Sequence, residues 1–306
     1  MMKMVRLKSI TQLKWLALLI ILVLCSSCTV QNEGYQHVVG VSLNQINDIW
    51  NSEFCSALLL NSKSDETINF VFMDAAGDVI RQKQDIEKLM DMEVDALIIV
   101  PENIDFLEDI LYEAIDHECI VGIVGKLVQD EEIYTFNVYP DNPRIGFLAG
   151  QYMADKLDGS GHILEVLGEE DLLKTQEITA GFREALQNHE GIKVPYVLVG
   201  KDSRDTVKER VVEIFLKEPF TDAVFAHSDA MAWGARIALD NLGQTALVVG
   251  VGWGNKADAK ALIDKGAIDA AVYISTGASE TFAQIQKAIN GQDVTKKIKI
   301  QPVVIH

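Results

Sequence analysis

Hydrophobic positions from Val38 onward follow two alternating patterns. Short apolar runs at Val38–Ser42, Ile68–Asp74, Ala96–Pro101 and Ile120–Gly125 have the length and content of strands buried on both faces. Amphipathic stretches separate them. One is Val79–Met92, whose Ile80, Ile86, Leu89 and Met90 fall on one helical face. A second series follows, with strands at Ile163–Leu167, Val194–Val199, Ala223–Ala226 and Leu247–Val251, and helices near Thr175–Asn188, Thr206–Lys217 and Ala230–Asn241. Alternation of this kind predicts an α/β protein whose parallel sheets are joined by right-handed crossovers.

Two series predict two similar lobes. "VDALIIVPEN" (94–103) and "TDAVFAHSDA" (221–230) share an Asp-Ala start, an apolar strand and a polar exit, which points to equivalent strands. No Gly/Ser-rich or Pro-rich linker separates the halves, so the junction is expected to consist of short crossing segments around Val138–Asp141.

The first 27 residues change the picture. A basic stretch ending at Lys14 precedes the apolar run Trp15–Leu24 and then "CSSC", the order of an export signal. The run is shorter than the roughly 20 residues a membrane span needs. Small Ser26 and Ser27 before a cysteine resemble a bacterial lipobox. Its expected product is a chain lipidated at Cys28 and tethered through 28–36 to the outer face of the cell membrane; the alternatives are a simple cleaved signal or an uncleaved anchor. Cys25 stands where that motif usually has Leu.

Lys3, Arg6, Lys8 and Lys14 are the only charges in this leader, leaving 23 basic against 45 acidic residues from Cys28 onward, a net charge of −22. That balance excludes nucleic acid as a partner, since phosphate binding depends on clustered Lys and Arg. Beyond the leader and Cys28, only Cys55 and Cys119 remain, read as two free thiols or a disulfide.

The segments "VVGVSLNQINDIWNSEF", "FVFMDAAGDVIRQKQDIEKLMDMEVDALIIVPEN", "VYPDNPRIGFLAGQYMADKL", "TAGFREAL", "AVFAHSDAMAWGARIAL" and "VVGVGW" occur in that order. Together they resemble the periplasmic sugar-binding proteins related to ribose- and galactose-binding proteins, the receptors of ABC importers. The resemblance implies two doubly wound parallel-sheet lobes joined by three crossing strands, near Asp141, near Ser275 and Thr276, and near Gln301. It assigns 37–139 plus 276–300 to an N-terminal lobe and 140–275 plus 301–306 to a C-terminal lobe. The last helix, Ala278–Asn290, packs on the first of these. A small ligand is then enclosed between the lobes by hinge closure.

Carried over by position, the pocket departs from the family. An aspartate and an arginine after the fourth strand become Lys126 and Leu127, and the arginine before the "GF" pattern becomes Ile178. The usual asparagine of "AHSDAM" is Ser228, while Asp229 is retained. The Phe-Asp pair after "VVG" becomes Val251 and Gly252, and a glutamine near the hinge becomes Ser275. Sugars are read by carboxylates, amides and guanidinium groups with aromatic faces over the ring, so this set points to an altered, sugar-like ligand, neutral or acidic.

Lys126 has three readings: a contact to the ligand, an internal partner of Asp48 or Asp141, or a solvated loop residue. Trp50 with Asn47, Asp48 and Asn51, and Trp253, are candidate cleft walls; Asp202 and Arg204 occupy further family pocket positions. Trp233 is expected in the core, and His227 is read as either structural or ligand-contacting.

Enzymatic motifs are missing. There is no His-Glu-x-x-His, no Gly-x-Ser-x-Gly, and "GVGWGN" (250–255) lacks the third glycine and acidic ribose partner of a dinucleotide-binding turn. The expectation is therefore a monomeric, non-enzymatic binding protein without metal or cofactor. Its partner is either an ABC permease or a membrane sensor such as a histidine kinase or chemoreceptor. Acidic "VQDEE" and "GEEDLL" are read as solvated loops.

Overall fold

Strand pairing sorts the chain into two six-stranded sheets. The computed structural model describes residues 36–169, 172–216 and 221–306; the leader, Cys28 and nearly all of the tether lie outside the described residues. The first sheet is built from β1 (His37–Leu43), β2 (Ile68–Asp74), β3 (Ala96–Val100), β4 (Ile120–Val124), β5 (Phe136–Pro140) and the late strand β11 (Lys297–Ile300). Its order is β11-β5-β4-β3-β1-β2 and every pair is parallel. The second holds β6 (Ser160–Leu167), β7 (Gly191–Val199), β8 (Ala223–Ala226), β9 (Leu247–Trp253), β10 (Ala270–Ile274) and β12 (Val303–Ile305). Its order, β12-β10-β9-β8-β6-β7, repeats that of the first, with β12 antiparallel to β10.

Helices α1 (Ile49–Ser62), α2 (Val79–Asp91) and α3 (Ile104–Asp116) connect the strands of the first sheet. In the second series lie α4 (Asn142–Lys156), α5 (Leu173–Leu186), α6 (Arg204–Phe215), α7 (Asp229–Asn241) and α8 (Lys256–Asp264). The last helix, α9 (Ala278–Ile289), returns to pack on α1 and β4. The result is the two-lobed α/β fold that the alternating pattern predicts.

The repeated Asp-Ala start has a physical cause. Asp95, just before β3, accepts from the backbone N–H of Val38 at 2.7 Å, and Asp222, just before β8, accepts from that of His162 at 2.7 Å. Each carboxylate satisfies an N–H at the start of the neighbouring strand, which β pairing would leave unmade. Strands β3 and β8 occupy the same place in their sheets.

Close helix packing explains the "AGF" pattern. A Cβ on Gly181 of α5 would sit 1.9 Å from the Pro143 carbonyl oxygen, and one on Gly146 of α4 would sit 1.8 Å from that of Ile178. Only glycine at both positions lets α4 and α5 cross at this distance.

Two expectations need correction. In α2 the buried face is Gln82, Asp85, Ile86 and Leu89, while Ile80 is 58% exposed. Gln82 is inside because its amide donates to the Val100 carbonyl (2.8 Å) and accepts from the Glu102 N–H (2.9 Å), tying α2 to the end of β3. Trp233 is 36% exposed rather than core, its ring lying 5.0 Å from the Arg204 guanidinium. The "VQDEE" loop is solvated as expected, with Gln129, Glu131 and Glu132 exposed; at the surface Tyr112 donates to Asp130 at 2.5 Å and Lys297 pairs with Glu131 at 2.6 Å. Cys55 and Cys119 are both free thiols, and burial pushes each up to about 11.

Candidate ligand-binding cleft

The crossings bring the carboxyl ends of the two sheets together. After Pro140 ends β5, Asp141 caps α4; after Ile274 ends β10, Gly277 opens α9. The third crossing is shortest. Between the carboxyl end of β11 at Ile300 and Val303, which pairs with Tyr273 near the carboxyl end of β10, lie only Gln301 and Pro302. Asp141 joins two crossings, its Oδ2 lying 3.6 Å from Lys299 Nζ and 3.5 Å from Gln301 Nε2. Nearby, Asn255 after β9 reaches Glu53 of α1 at 3.5 Å. Carboxyl ends of parallel strands are where open α/β sheets bind ligands, so the cleft between these edges is the candidate site.

On the first sheet's edge, Asp48 caps α1 by accepting from the Asn51 N–H (3.1 Å), which aims the first turn of that helix across the strand ends. Trp50 then leans over Gly125: a Cβ there would meet its ring at 3.2 Å, and Gly125 has φ +96°. Phe54 backs the indole in parallel at 5.6 Å. Asn51 is buried, its amide donating to Asn44 Oδ1 (2.7 Å) and the Gln45 carbonyl (2.6 Å). Asn44 in turn donates to the Glu102 carboxylate at 2.9 Å.

Lys126 follows β4 and bends back to the end of β3, where Nζ donates to the Glu102 carbonyl at 3.2 Å. Burial of its ammonium pulls the pKa below the usual lysine value, and the carboxylates of Glu102 and Asp105 restore part of it. The internal partners expected from the sequence are therefore replaced: Asp48 serves as a cap and Asp141 as a hinge pair. The Lys126 side chain is exposed along its flank and forms no ion pair among the described residues.

On the second sheet's edge, Trp253 ends β9 and donates from Nε1 to the His227 carbonyl at 3.0 Å. Lys174, in the first turn of α5, lies 4.9 Å from the centre of its ring. Ser228 caps α7 by accepting from the Met231 N–H at 3.4 Å. Asp229 accepts from the Ala230 N–H at 2.8 Å and has no ion pair among the described residues. Burial raises its pKa; the Ala230 amide and its own N–H offset part of that rise, and nearby Asp258 adds to it.

Not every candidate reaches this edge. Arg204 lies against Trp233 and Asp205 at the α6–α7 surface, and Ile178, aligned with a family arginine, is buried beneath α4. Asn47 is exposed before α1, and Ser275 is half-buried in the second crossing. Glu102, Lys174 and Glu165 were not among the candidates. Glu165 had a legible signal, a lone charge in the apolar strand "ILEVL".

Two doubly wound lobes with facing carboxyl edges and a three-segment hinge define a two-lobed solute-binding protein. Residues 39–293 match the family described as periplasmic binding protein domain, and the chain belongs to that family. The ribose import binding protein of Bacillus subtilis (strain 168) is 28% identical over 245 residues, which span 78% of this chain and 76% of that protein. The periplasmic binding component of the arabinose ABC transporter from Shewanella sp. ANA-3, bound to L-arabinofuranose, superposes with a TM-score of 0.76 at 25% identity, covering 88% of this chain and 91% of that one. The fructose-binding periplasmic domain of a hybrid two-component system superposes with a TM-score of 0.75 at 24% identity, covering 88% and 90%.

Proposed function

We propose that this protein captures a small polyhydroxylated, sugar-like ligand outside the cytoplasm and presents it to an ABC permease. One observation carries the reading: each facing edge offers an aromatic ring and a charge with no ion-pair partner among the described residues. On one side are Trp50 and Lys126, on the other Trp253 and Asp229. A sugar ring presents an apolar face to indole and hydroxyls that both accept from an ammonium and donate to a carboxylate. Contacts from both lobes favour the closed form, and the membrane partner reads that difference. The ribose and arabinose relatives, named for import and for an ABC transporter, support transport.

The monomer is anchored through lipidated Cys28. Palmitate incorporation that persists in Cys28→Ser would contradict the anchor. A second reading, a sensory receptor for a membrane kinase, is favoured by the likeness to the sensor's fructose-binding domain, which bears on fold alone.

The test is thermal melting with D-ribose, L-arabinose, D-fructose and matched sugar acids. A ligand at 100 times its Kd adds about 2.7 kcal/mol, which moves Tm by a few degrees. A shift with any of these sugars supports the reading; no shift across the panel overturns it. A shift confined to the acids would make Lys126 an anion contact.

A further inference from the structure

Glu165 lies in the middle of β6, fully buried between Val197 of β7 and Phe225 of β8. A carboxylate in such a place is costly unless every oxygen has a partner. Here Oε1 accepts from Thr179 Oγ1 (2.9 Å) and lies 3.3 Å from His227 Nε2, while Oε2 pairs with Arg183 at 2.5 Å. Thr179 and Arg183 belong to α5, the helix whose first turn places Lys174 over the Trp253 ring. His227 is the residue whose carbonyl holds Trp253 Nε1.

Beside its ladder pairing with Ile274 and its packing on the core, the Trp253 indole has two contacts, the His227 carbonyl and Lys174, whose elements are both tied to one carboxylate. The His227 ring is 3% exposed, rests 5.1 Å from Phe225, and its Nδ1 has no partner among the described residues. Glu165 is thus the sole polar partner of that imidazole among the described residues, and the His227 backbone that meets Trp253 is held at two points, through the ring by Glu165 and through its own N–H by the Val166 carbonyl (2.9 Å).

We propose that Glu165 is a positioning residue for the binding cleft, holding the Trp253 wall in place through His227 on one side and α5 on the other. The inference rests on the reading of Trp253 as a cleft wall, but its test needs no sugar. The emission of Trp253 is isolated as the difference between the protein and its Trp253→Phe variant, and its quenching by acrylamide is measured with and without Glu165→Met. Methionine matches glutamate in length and Arg183, 39% exposed, can turn to water, but the buried His227 ring loses its polar partner, so each variant is first checked by circular dichroism to be folded. Thr179→Val removes one bond to the carboxylate and serves as a second, milder variant.

The expected result is faster quenching and red-shifted emission of the Trp253 component in Glu165→Met, a smaller change of the same sign in Thr179→Val, and no change in the remaining tryptophan emission. Folded variants whose Trp253 component matches the parent would overturn the proposal, whatever the sugar screen shows. So would an equal change in the remaining tryptophans.

Discussion

Burial holds the Asp229 carboxylate in an unfavourable state. Its folded pKa is raised by burial, so the stability it contributes is full below the ordinary value of 3.8 and is lost as pH rises through the folded value. Asp229→Asn removes that loss. The variant is expected to match the parent in acid and to exceed it by about 1 kcal/mol at neutral pH, read by urea unfolding at a series of pH values. The same substitution removes a charged acceptor from the cleft and is expected to weaken sugar binding roughly 10- to 100-fold. A variant that gains stability and keeps full affinity would show Asp229 to be no ligand contact.

At the scale of elements, the α4–α5 contact is the tightest helix crossing in the chain's second half. Gly181→Ala places a methyl against the Pro143 carbonyl and is expected to cost about 1–3 kcal/mol or more, measured as a fall in Tm; an unchanged Tm would mean the crossing opens freely. This scale is also where the sequence was most legible. A continuous apolar run located Ala223–Ala226 to the residue because a strand buried on both faces has to be apolar throughout; Ile68–Asp74 was located as well, although β2 is an edge strand that is only partly buried after Ile68, contrary to expectation. Patterns failed where a polar group is buried for a backbone reason. Gln82 is inside because the Val100 carbonyl and Glu102 N–H need it, and no periodicity encodes that need. Trp233 failed in the opposite sense, since a cation–aromatic contact with Arg204 lets a large ring stay at the surface.

The cleft was half legible for related reasons. Strand ends could be read from the sequence, and Trp50, Lys126, Asp229 and Trp253 lie at the carboxyl edges of the two sheets, where that reading puts them; their contact with a ligand is a proposal. Which side chains already serve the protein could not: Asn51, Asp48 and Asp141 are engaged by helix caps and hinge pairs that appear only when distant segments meet.

For the whole molecule, the central claim is that ligand is taken between two lobes that close about three short crossings. Two residues, Gln301 and Pro302, span the third crossing, so the lobes can rotate but cannot separate. The most direct test is small-angle X-ray scattering of the protein before and after addition of whichever sugar of the panel raises Tm. A smaller radius of gyration in the bound state is predicted. Binding with no change, or with expansion, would contradict capture by closure.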